Sequence, residues 1–106
     1  MKIDEVGVTA FDAMLKSEPL LLADFWAPWC GPCRMVGPVL EQLAEDYPDC
    51  RFVKVNVDTE PALAERYGIQ AIPSVLLFRS GELADRVVGA MPRSGYAQMI
   101  DNNRKG

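Results

Sequence analysis

One stretch of the chain constrains the fold more than any other, because residues 20–58 are patterned as a strand, a helix and a second strand. Residues 20–27, LLLADFWA, are almost continuously apolar, which is typical of a strand buried on both faces of a parallel sheet. Residues 51–58, RFVKVNVD, alternate apolar and polar side chains and predict the second strand. A strand, a connecting helix and a second strand form a right-handed βαβ unit whose two strands are parallel.

The segment between these strands predicts a helix that starts near Pro32 and contains a second proline, Pro38. Because Pro38 has no backbone N–H to donate, we expect it to kink this helix. The apolar residues that recur at helical spacing are Val36, Leu40, Leu43, Ala44 and Tyr47.

The N-terminal part of the chain predicts a short strand within residues 2–6, followed by a helix capped by Thr9. A threonine hydroxyl at the N-cap accepts a hydrogen bond from the first turn, and Asp12 makes a weak capping-box partner three residues later. The apolar face of this helix consists of Phe11, Met14 and Leu15.

The C-terminal half predicts a short helix capped by Thr59 and ended by Gly68. Residues 74–78 and 84–89 predict two strands around the tight turn RSGE. A last helix is expected from about Ser94, and its inward residues are Tyr96, Met99 and Ile100.

Length and composition agree with one α/β domain over residues 1–106, a three-layer α/β/α sandwich with a central mixed β-sheet. The net charge is −4 without any basic cluster, so we expect no nucleic-acid partner. The N-terminus has no apolar signal run and no stretch is long enough to span a bilayer. We therefore expect no membrane association and a cytoplasmic location.

The three cysteines are Cys30, Cys33 and Cys50, an odd and low count that does not suit a secreted disulfide framework. The closely spaced pair in CGPC has three interpretations: a zinc site, a structural disulfide or a redox-active dithiol. A zinc site needs two further ligands, and the chain has no histidine. A disulfide across three residues closes a very small loop and stabilises little. Redox chemistry is therefore favoured, while Cys50 is interpreted as a bystander thiol.

The position of the pair between a buried strand and a helix suggests how such a dithiol works. The unpaired N–H groups and positive dipole end of a helix stabilise a thiolate, so we expect Cys30 to be exposed there with a lowered pKa. Cys33 lies one helical turn deeper on the same face. Attack by Cys30 on a target disulfide gives a mixed disulfide, and attack by Cys33 on Cys30 then releases the reduced target.

Residues around the pair leave alternatives open. Asp24 interrupts an apolar run, so it is either a buried carboxyl group, which is costly, or part of a surface bulge. Trp26 is interpreted as a core residue, whereas Trp29 sits in the turn beside the cysteines and is expected to be exposed. The peptide bond before Pro73 is trans by the usual preference of proline.

Four segments, WCGPC at 29–33, DFWA at 24–27, IPSVLLF at 72–78 and VVGA at 87–90, together resemble the thioredoxin family in order and spacing. The resemblance covers nearly the whole chain. It implies the thioredoxin fold and a protein dithiol–disulfide oxidoreductase that reduces disulfides of protein substrates. It also implies a monomer, recharged by a thioredoxin reductase, with neither a bound cofactor nor a metal ion.

The same resemblance assigns roles at the redox pair. It implies that Cys30 is the nucleophile, that Cys33 is the resolving cysteine, and that the two form a reversible disulfide. Gly31 and Pro32 match the residues between the cysteines that help to set a reducing potential. Asp24 matches a buried acid beneath the resolving thiol. Burial should raise the pKa of its carboxyl group against the opposing charge of Lys54, so we expect Asp24 to take the proton from Cys33.

Further matches surround the pair. Lys54 corresponds to the neighbour of the buried acid, and Trp29 to a flat aromatic side chain beside the site. Pro73 matches a proline that follows a cis peptide bond and lies against the cysteines, which replaces the trans expectation. The implied apolar rim for partner chains consists of Trp29, Ile72, Pro73, Gly89 and Ala90.

Two other functions are compatible with these residues. The chain could serve as a binding module, an assembly subunit whose cysteines are idle, or as a specialised family member that serves one partner. The complete CGPC motif favours the oxidoreductase, and reduction of insulin with dithiothreitol as the electron source discriminates it from the binding module.

Overall fold

The computed structural model describes residues 3–104 and places its elements in the predicted order. The strands are β1 (Asp4–Glu5), β2 (Leu20–Trp26), β3 (Arg51–Asn56), β4 (Ser74–Arg79) and β5 (Glu82–Val88). The helices are α1 (Val8–Ser17), α2 (Gly31–Asp46), α3 (Pro61–Arg66) and α4 (Arg93–Asn103). The expected first strand is confirmed at residues 4 and 5, whereas residue 2 lies outside the described residues. No helix within residues 3–104 has the length and apolar character needed to cross a membrane.

The five strands form one mixed sheet in the order β1-β3-β2-β4-β5. β2 is central: it runs parallel to β3, with Asp24 opposite Lys54, and antiparallel to β4. The parallel pair with its connecting α2 is the βαβ unit that the sequence predicts. Because parallel strands end at the same edge of a sheet, the segments that follow Trp26 and Asn56 meet there.

Helices cover both faces of the sheet and explain why β2 is apolar at almost every position. On one face, α2 and α4 pack over Leu20 and Leu22 of β2. On the other, α1 and α3 pack over Leu21, Ala23 and Phe25. Complete burial of a leucine or phenylalanine side chain stabilises the fold by about 1.5–3 kcal/mol. The alternating side chains of β2 therefore stabilise the packing of both helical layers against the sheet. The three-layer α/β/α sandwich is confirmed.

Helix α2 begins immediately after β2 and carries the residues of the CGPC motif. Cys30 is its N-cap and Pro32 lies in the first turn. Backbone N–H groups in the first turn have no acceptor within the helix, so a proline there costs no hydrogen bond. The predicted apolar face is confirmed, with Val36, Leu40 and Leu43 buried. The helix continues through Pro38 to Asp46; the kink at Pro38 stays a prediction.

The predicted cap at Thr9 is wrong. Helix α1 begins at Val8, its N-cap is Gly7, two residues before the predicted cap, and this N-cap makes no side-chain hydrogen bond. The Phe11 N–H donates to the Gly7 carbonyl oxygen over 2.9 Å, which places Thr9 inside the first turn. Burial of Phe11 and partial burial of Val8 in one apolar cluster account for the earlier start.

The predicted cap at Thr59 is also wrong, because α3 begins at Pro61 after the N-cap Glu60. The Thr59 hydroxyl donates instead to the Asn56 carbonyl oxygen over 3.3 Å, within the turn that leaves β3. The Glu60 N–H donates to the same carbonyl over 2.9 Å. The threonine therefore stabilises the turn rather than the helix.

The C-terminal hairpin and helix agree with the prediction. Ser80 and Gly81 both have positive φ, 52° and 85°, as the two-residue turns that join twisted antiparallel strands require. Strand β5 starts two residues earlier than expected, at Glu82. Helix α4 buries the three predicted residues, Tyr96, Met99 and Ile100.

Candidate active site

The two cysteines of the motif lie at the connection between β2 and α2, at the edge of the sheet where both parallel strands end. The Cys30 N–H donates to the Ala27 carbonyl oxygen over 3.1 Å, which closes the connecting turn. Cys30 and Cys33 are joined in a disulfide, with 5.3 Å between their Cα atoms. The Cys33 N–H donates to Cys30 Sγ over 3.2 Å, so the sulfur acts as the N-cap acceptor of the helix.

The expectation that Cys30 is exposed is wrong for this disulfide-bonded state. Cys30 is 4% exposed and Cys33 is 5% exposed. Both pack with Ala27, and Trp26 and Ile72 cover the small apolar cluster that they form. Cys30 Sγ also lies 3.8 Å from the Ile72 carbonyl oxygen. In this state, Cys30 Sγ is therefore covered by its neighbours rather than open to solvent.

The start of α2 offers a favourable electrostatic environment for a Cys30 thiolate. The first turn contains no acidic residue, so its N–H groups and dipole act on the N-cap sulfur unopposed within that turn. Arg34 Nη2 donates to the Pro28 carbonyl oxygen over 3.1 Å, which holds a positive charge over the turn that contains Cys30. Thiolates at helix N-termini and beside arginine side chains are generally stabilised.

Trp29 is exposed, as predicted, with 67% of its surface accessible. Its Nε1 donates to Asp58 Oδ2 over 2.9 Å, and the Asp58 N–H donates to Asn56 Oδ1 over the same distance. Asp58 was not among the predicted site residues. Its position two residues after the end of β3 was the available signal, because the segments that follow two parallel strands lie at one edge.

Four residues of the expected rim, Ile72, Pro73, Gly89 and Ala90, lie in two neighbouring segments that a backbone hydrogen bond connects. Ile72 packs against the cysteines, and the Ile72–Pro73 peptide bond is cis, which agrees with the expectation from the family resemblance. The Gly89 N–H donates to the Pro73 carbonyl oxygen over 2.8 Å, so the end of β5 is tied to this loop. Ala90 follows and is exposed.

Asp24 is buried beneath this surface with 1% of its surface accessible, so the surface-bulge interpretation is wrong. Its Oδ1 has no hydrogen-bond partner within residues 3–104. Burial raises the pKa of the Asp24 carboxyl group from its ordinary value of 3.8 to about 7, and the opposing charge of Lys54 lowers it only in part. The protonated and ionised forms are therefore both populated near neutral pH.

A cavity of about 240 Å³ connects the interior near Cys33 with the surface. It is lined by Trp26, Cys33, Arg34, Gly37, Pro38, Glu41 and Lys54. The Lys54 ammonium group lies 4.1 Å from the centre of the Trp26 ring, a cation–π contact. Trp26 is half-buried rather than fully in the core, and its Nε1 has no hydrogen-bond partner in the described part of the chain.

The third cysteine, Cys50, is a free and buried thiol that follows α2. Burial, with the neighbouring charge of Asp49, raises its pKa to about 12. At neutral pH it is therefore protonated and a poor nucleophile. Across residues 3–104, no three His, Cys, Asp or Glu side chains are grouped as metal ligands.

A cysteine pair at the start of a helix, beside a cis-proline loop on a mixed sheet between two helical layers, defines the class of thiol–disulfide oxidoreductases. Residues 2–102 match the family model described as thioredoxin. The chain belongs to the thioredoxin family, and its redox-active group is the Cys30–Cys33 pair.

Similar proteins cover nearly the whole chain. Thioredoxin 1 of Synechococcus elongatus is 45% identical over 104 residues, which are 92% of this chain and 97% of that protein. Thioredoxin M5, chloroplastic, of Oryza sativa is 47% identical over 93% of this chain and 60% of its own length. The oxidised crystal structure of mitochondrial thioredoxin 3 from Saccharomyces cerevisiae has a TM-score of 0.89 and 36% identity, and the alignment covers 94% of both chains.

Proposed function

We propose that the pair works by two successive exchanges in which Cys30 attacks first. The Cys30 thiolate forms a bond to one sulfur of a substrate disulfide, and the other substrate sulfur leaves as a thiolate. The Cys33 thiolate then attacks Cys30 Sγ, the mixed disulfide breaks, and the second substrate thiolate leaves. Two electrons pass to the substrate, and the protein is left with the Cys30–Cys33 disulfide. The N-cap position of Cys30 Sγ, which accepts the Cys33 N–H, is the observation that supports this order most.

The second exchange needs a base for the Cys33 thiol, and we assign this role to Asp24. Its carboxyl group is buried and has a pKa of about 7, so it can hold or give up a proton at neutral pH. Lys54 keeps part of the carboxyl population ionised. Lys54 and Cys33 line one cavity, which supports a proton path between this part of the interior and solvent.

The apolar rim is assigned to substrate docking. Trp29 offers a large exposed ring, and Ala90 lies on the exposed segment next to Gly89. Ile72 packs against the cysteines, and the buried Pro73 follows it in the chain. A rim of this kind brings an extended segment of a partner across the Cys30 sulfur. Gly31 and Pro32 are assigned to the tuning of the redox potential.

The proposed partners are a thioredoxin reductase and proteins that carry disulfides, with the protein acting as a monomer. We place it in the cytoplasm, because thiols are kept reduced there and the chain keeps Cys50 as a free thiol. Cell fractionation with an antibody to the protein tests this location; recovery in an organelle or membrane fraction contradicts it.

Insulin reduction with dithiothreitol as the electron source tests the proposed activity. The parent protein is expected to accelerate precipitation of the insulin B chain, and Cys30→Ser is expected to abolish the acceleration. Cys50→Ser is the matched control, since it removes a thiol outside the pair, and should retain full activity. An inactive parent protein would favour the assembly-subunit function with idle cysteines.

A further inference from the structure

The segment that follows β5 carries part of the proposed docking rim but has no regular secondary structure. It runs from Gly89 to Pro92 and leads directly into α4. Gly89 has a φ of +92°, which only glycine adopts without strain, and its N–H is bound to the Pro73 carbonyl oxygen. Segments without a sheet or helix partner depend on individual hydrogen bonds for a fixed conformation.

Tyr96 supplies two such bonds from the first turn of α4. Its side chain is fully buried, and its hydroxyl oxygen accepts from the Met91 N–H over 3.2 Å. The same hydroxyl donates to the Gly89 carbonyl oxygen over 3.4 Å. One side chain therefore holds both ends of the stretch that presents Ala90 to solvent.

Gly95, the neighbour of Tyr96, provides a second contact with this segment. A Cβ atom at Gly95 would lie 2.7 Å from Met91 Cε and 3.2 Å from Met91 Cβ, so the Met91 side chain rests directly on the glycine. Met91 is also 37% exposed. A thioether side chain on a binding surface is soft and adapts to differently shaped partners.

We propose that Tyr96 is a positioning residue for substrate docking, which holds residues 89–91 in the conformation that a partner chain binds. The proposal rests on the proposed docking role of Gly89 and Ala90. A rim that is already ordered binds without the entropic cost of fixing the segment. Loss of the hydroxyl leaves the Met91 N–H and the Gly89 carbonyl without their side-chain partner, so the segment samples other conformations.

Tyr96→Phe tests the proposal, because it removes the hydroxyl and keeps the buried ring. Pre-reduced protein is mixed either with insulin or with hydroxyethyl disulfide, and the second-order rate constant for reduction of each is measured. Insulin is large enough to contact the rim, whereas hydroxyethyl disulfide is too small to do so. In Tyr96→Phe, we expect the second-order rate constant for insulin to fall roughly fivefold. This corresponds to the loss of about 1 kcal/mol, which the hydroxyl hydrogen bonds contribute to the ordered conformation of residues 89–91. The rate constant for hydroxyethyl disulfide should stay at the parent value. A general loss of stability or of thiol reactivity would instead lower the rate constants for both disulfides.

Tyr47→Phe is the matched control. The Tyr47 hydroxyl makes a tertiary hydrogen bond too, but it donates to Asp101 Oδ1 over 2.9 Å, near the C-terminal end of α4 and away from residues 89–91. It should leave both rate constants unchanged. Gly95→Ala is a second variant in the first turn of α4. Its added methyl group displaces the Met91 side chain, so the rate constant for insulin should fall while that for hydroxyethyl disulfide does not, as in Tyr96→Phe.

Ala90→Asp separates this proposal from the one on which it rests. If Ala90→Asp slows insulin reduction and Tyr96→Phe does not, the rim binds substrate and the positioning role of Tyr96 is wrong. If Tyr96→Phe slows both disulfides equally, its effect is not on docking and the role is again wrong. If Ala90→Asp leaves the insulin rate unchanged, the docking role of the rim fails and the positioning role fails with it.

Discussion

Asp24 and Lys54 lie directly opposite each other in the parallel register of β2 and β3, and their side chains have opposing effects on one pKa. Burial raises the pKa of the Asp24 carboxyl group to about 7, and the Lys54 ammonium group restrains that rise. A well-solvated carboxyl group would be fully ionised at neutral pH, whereas this one can change its protonation during a reaction.

Asp24→Asn is expected to stabilise the fold at pH 7. A carboxyl group whose pKa rises on folding favours folding fully below its unfolded pKa, and this contribution is lost as the pH rises from about 4 to about 7. A rise of this pKa from 3.8 to about 7 corresponds to about 4 kcal/mol in the free energy of unfolding at pH 7. Urea unfolding at several pH values measures it: the advantage of the asparagine variant should be large at pH 7 and vanish near pH 4. A variant less stable than the parent at pH 7 would refute the destabilising role of the carboxylate.

The same substitution is expected to slow the second exchange more than the first. Asparagine cannot accept the Cys33 proton, whereas attack by Cys30 does not involve Asp24. Stopped-flow mixing of reduced protein with a fluorescent peptide disulfide resolves formation of the mixed disulfide from release of the peptide. In the parent, the release rate should rise with pH through about 7, and the variant should lack this inflection. Equal release rates in both proteins would show that Asp24 takes no proton from Cys33.

Lys54→Met is expected to raise the pKa of Asp24 further, because it removes the charge that opposes the effect of burial. Methionine keeps an unbranched side chain beside Trp26, so packing there is preserved in part. The Asp24 carboxyl chemical shift, followed by NMR against pH, should titrate with a midpoint above that of the parent. Lys16→Met on α1 is the matched control and should leave the midpoint in place. A lower or unchanged midpoint in Lys54→Met would contradict the pairing.

Cys50 is expected to resist alkylation while the protein is folded. With the Cys30–Cys33 disulfide closed, Cys50 is the one remaining thiol, and burial raises its pKa to about 12. Iodoacetamide at pH 8 should label it at least about a hundredfold more slowly than it labels the same thiol in urea. Equal rates in buffer and in urea would show that the thiol is accessible and ionised in the folded protein.

The sequence predicts the layers of the fold well, because they depend on patterns within single segments. The apolar residues on both sides of Asp24 in β2 predict that helices cover both faces of this strand. The spacing of Val36, Leu40 and Leu43 identifies the buried side of α2. Positions that depend on partners far along the chain were not predictable in this way. Asp58 binds Trp29 across 29 residues, so this bond depends on the pairing of β2 with β3 and not on a pattern within one segment.

The wrong predictions, the helix caps at Thr9 and Thr59 and the exposure of Cys30, have the same origin. Thr9 and Thr59 both have the side chain of a good N-cap, but tertiary burial of Phe11 and the turn after β3 decide where α1 and α3 begin. Cys30 was expected to be exposed from its place at a helix start. It is covered by Ile72, which is 42 residues away in the sequence and reaches the site through the fold.

The most direct test of the proposed chemistry is to trap the intermediate between the two exchanges. Cys33→Ser lacks the resolving thiol, so reduced Cys33→Ser is expected to accumulate disulfide-linked adducts with proteins of a cell extract. Peptide mass spectrometry of these adducts should find every link at Cys30, and Cys30→Ser should form none. Adducts that persist in Cys30→Ser, or that map to Cys50, would contradict the assignment of Cys30 as the attacking thiol.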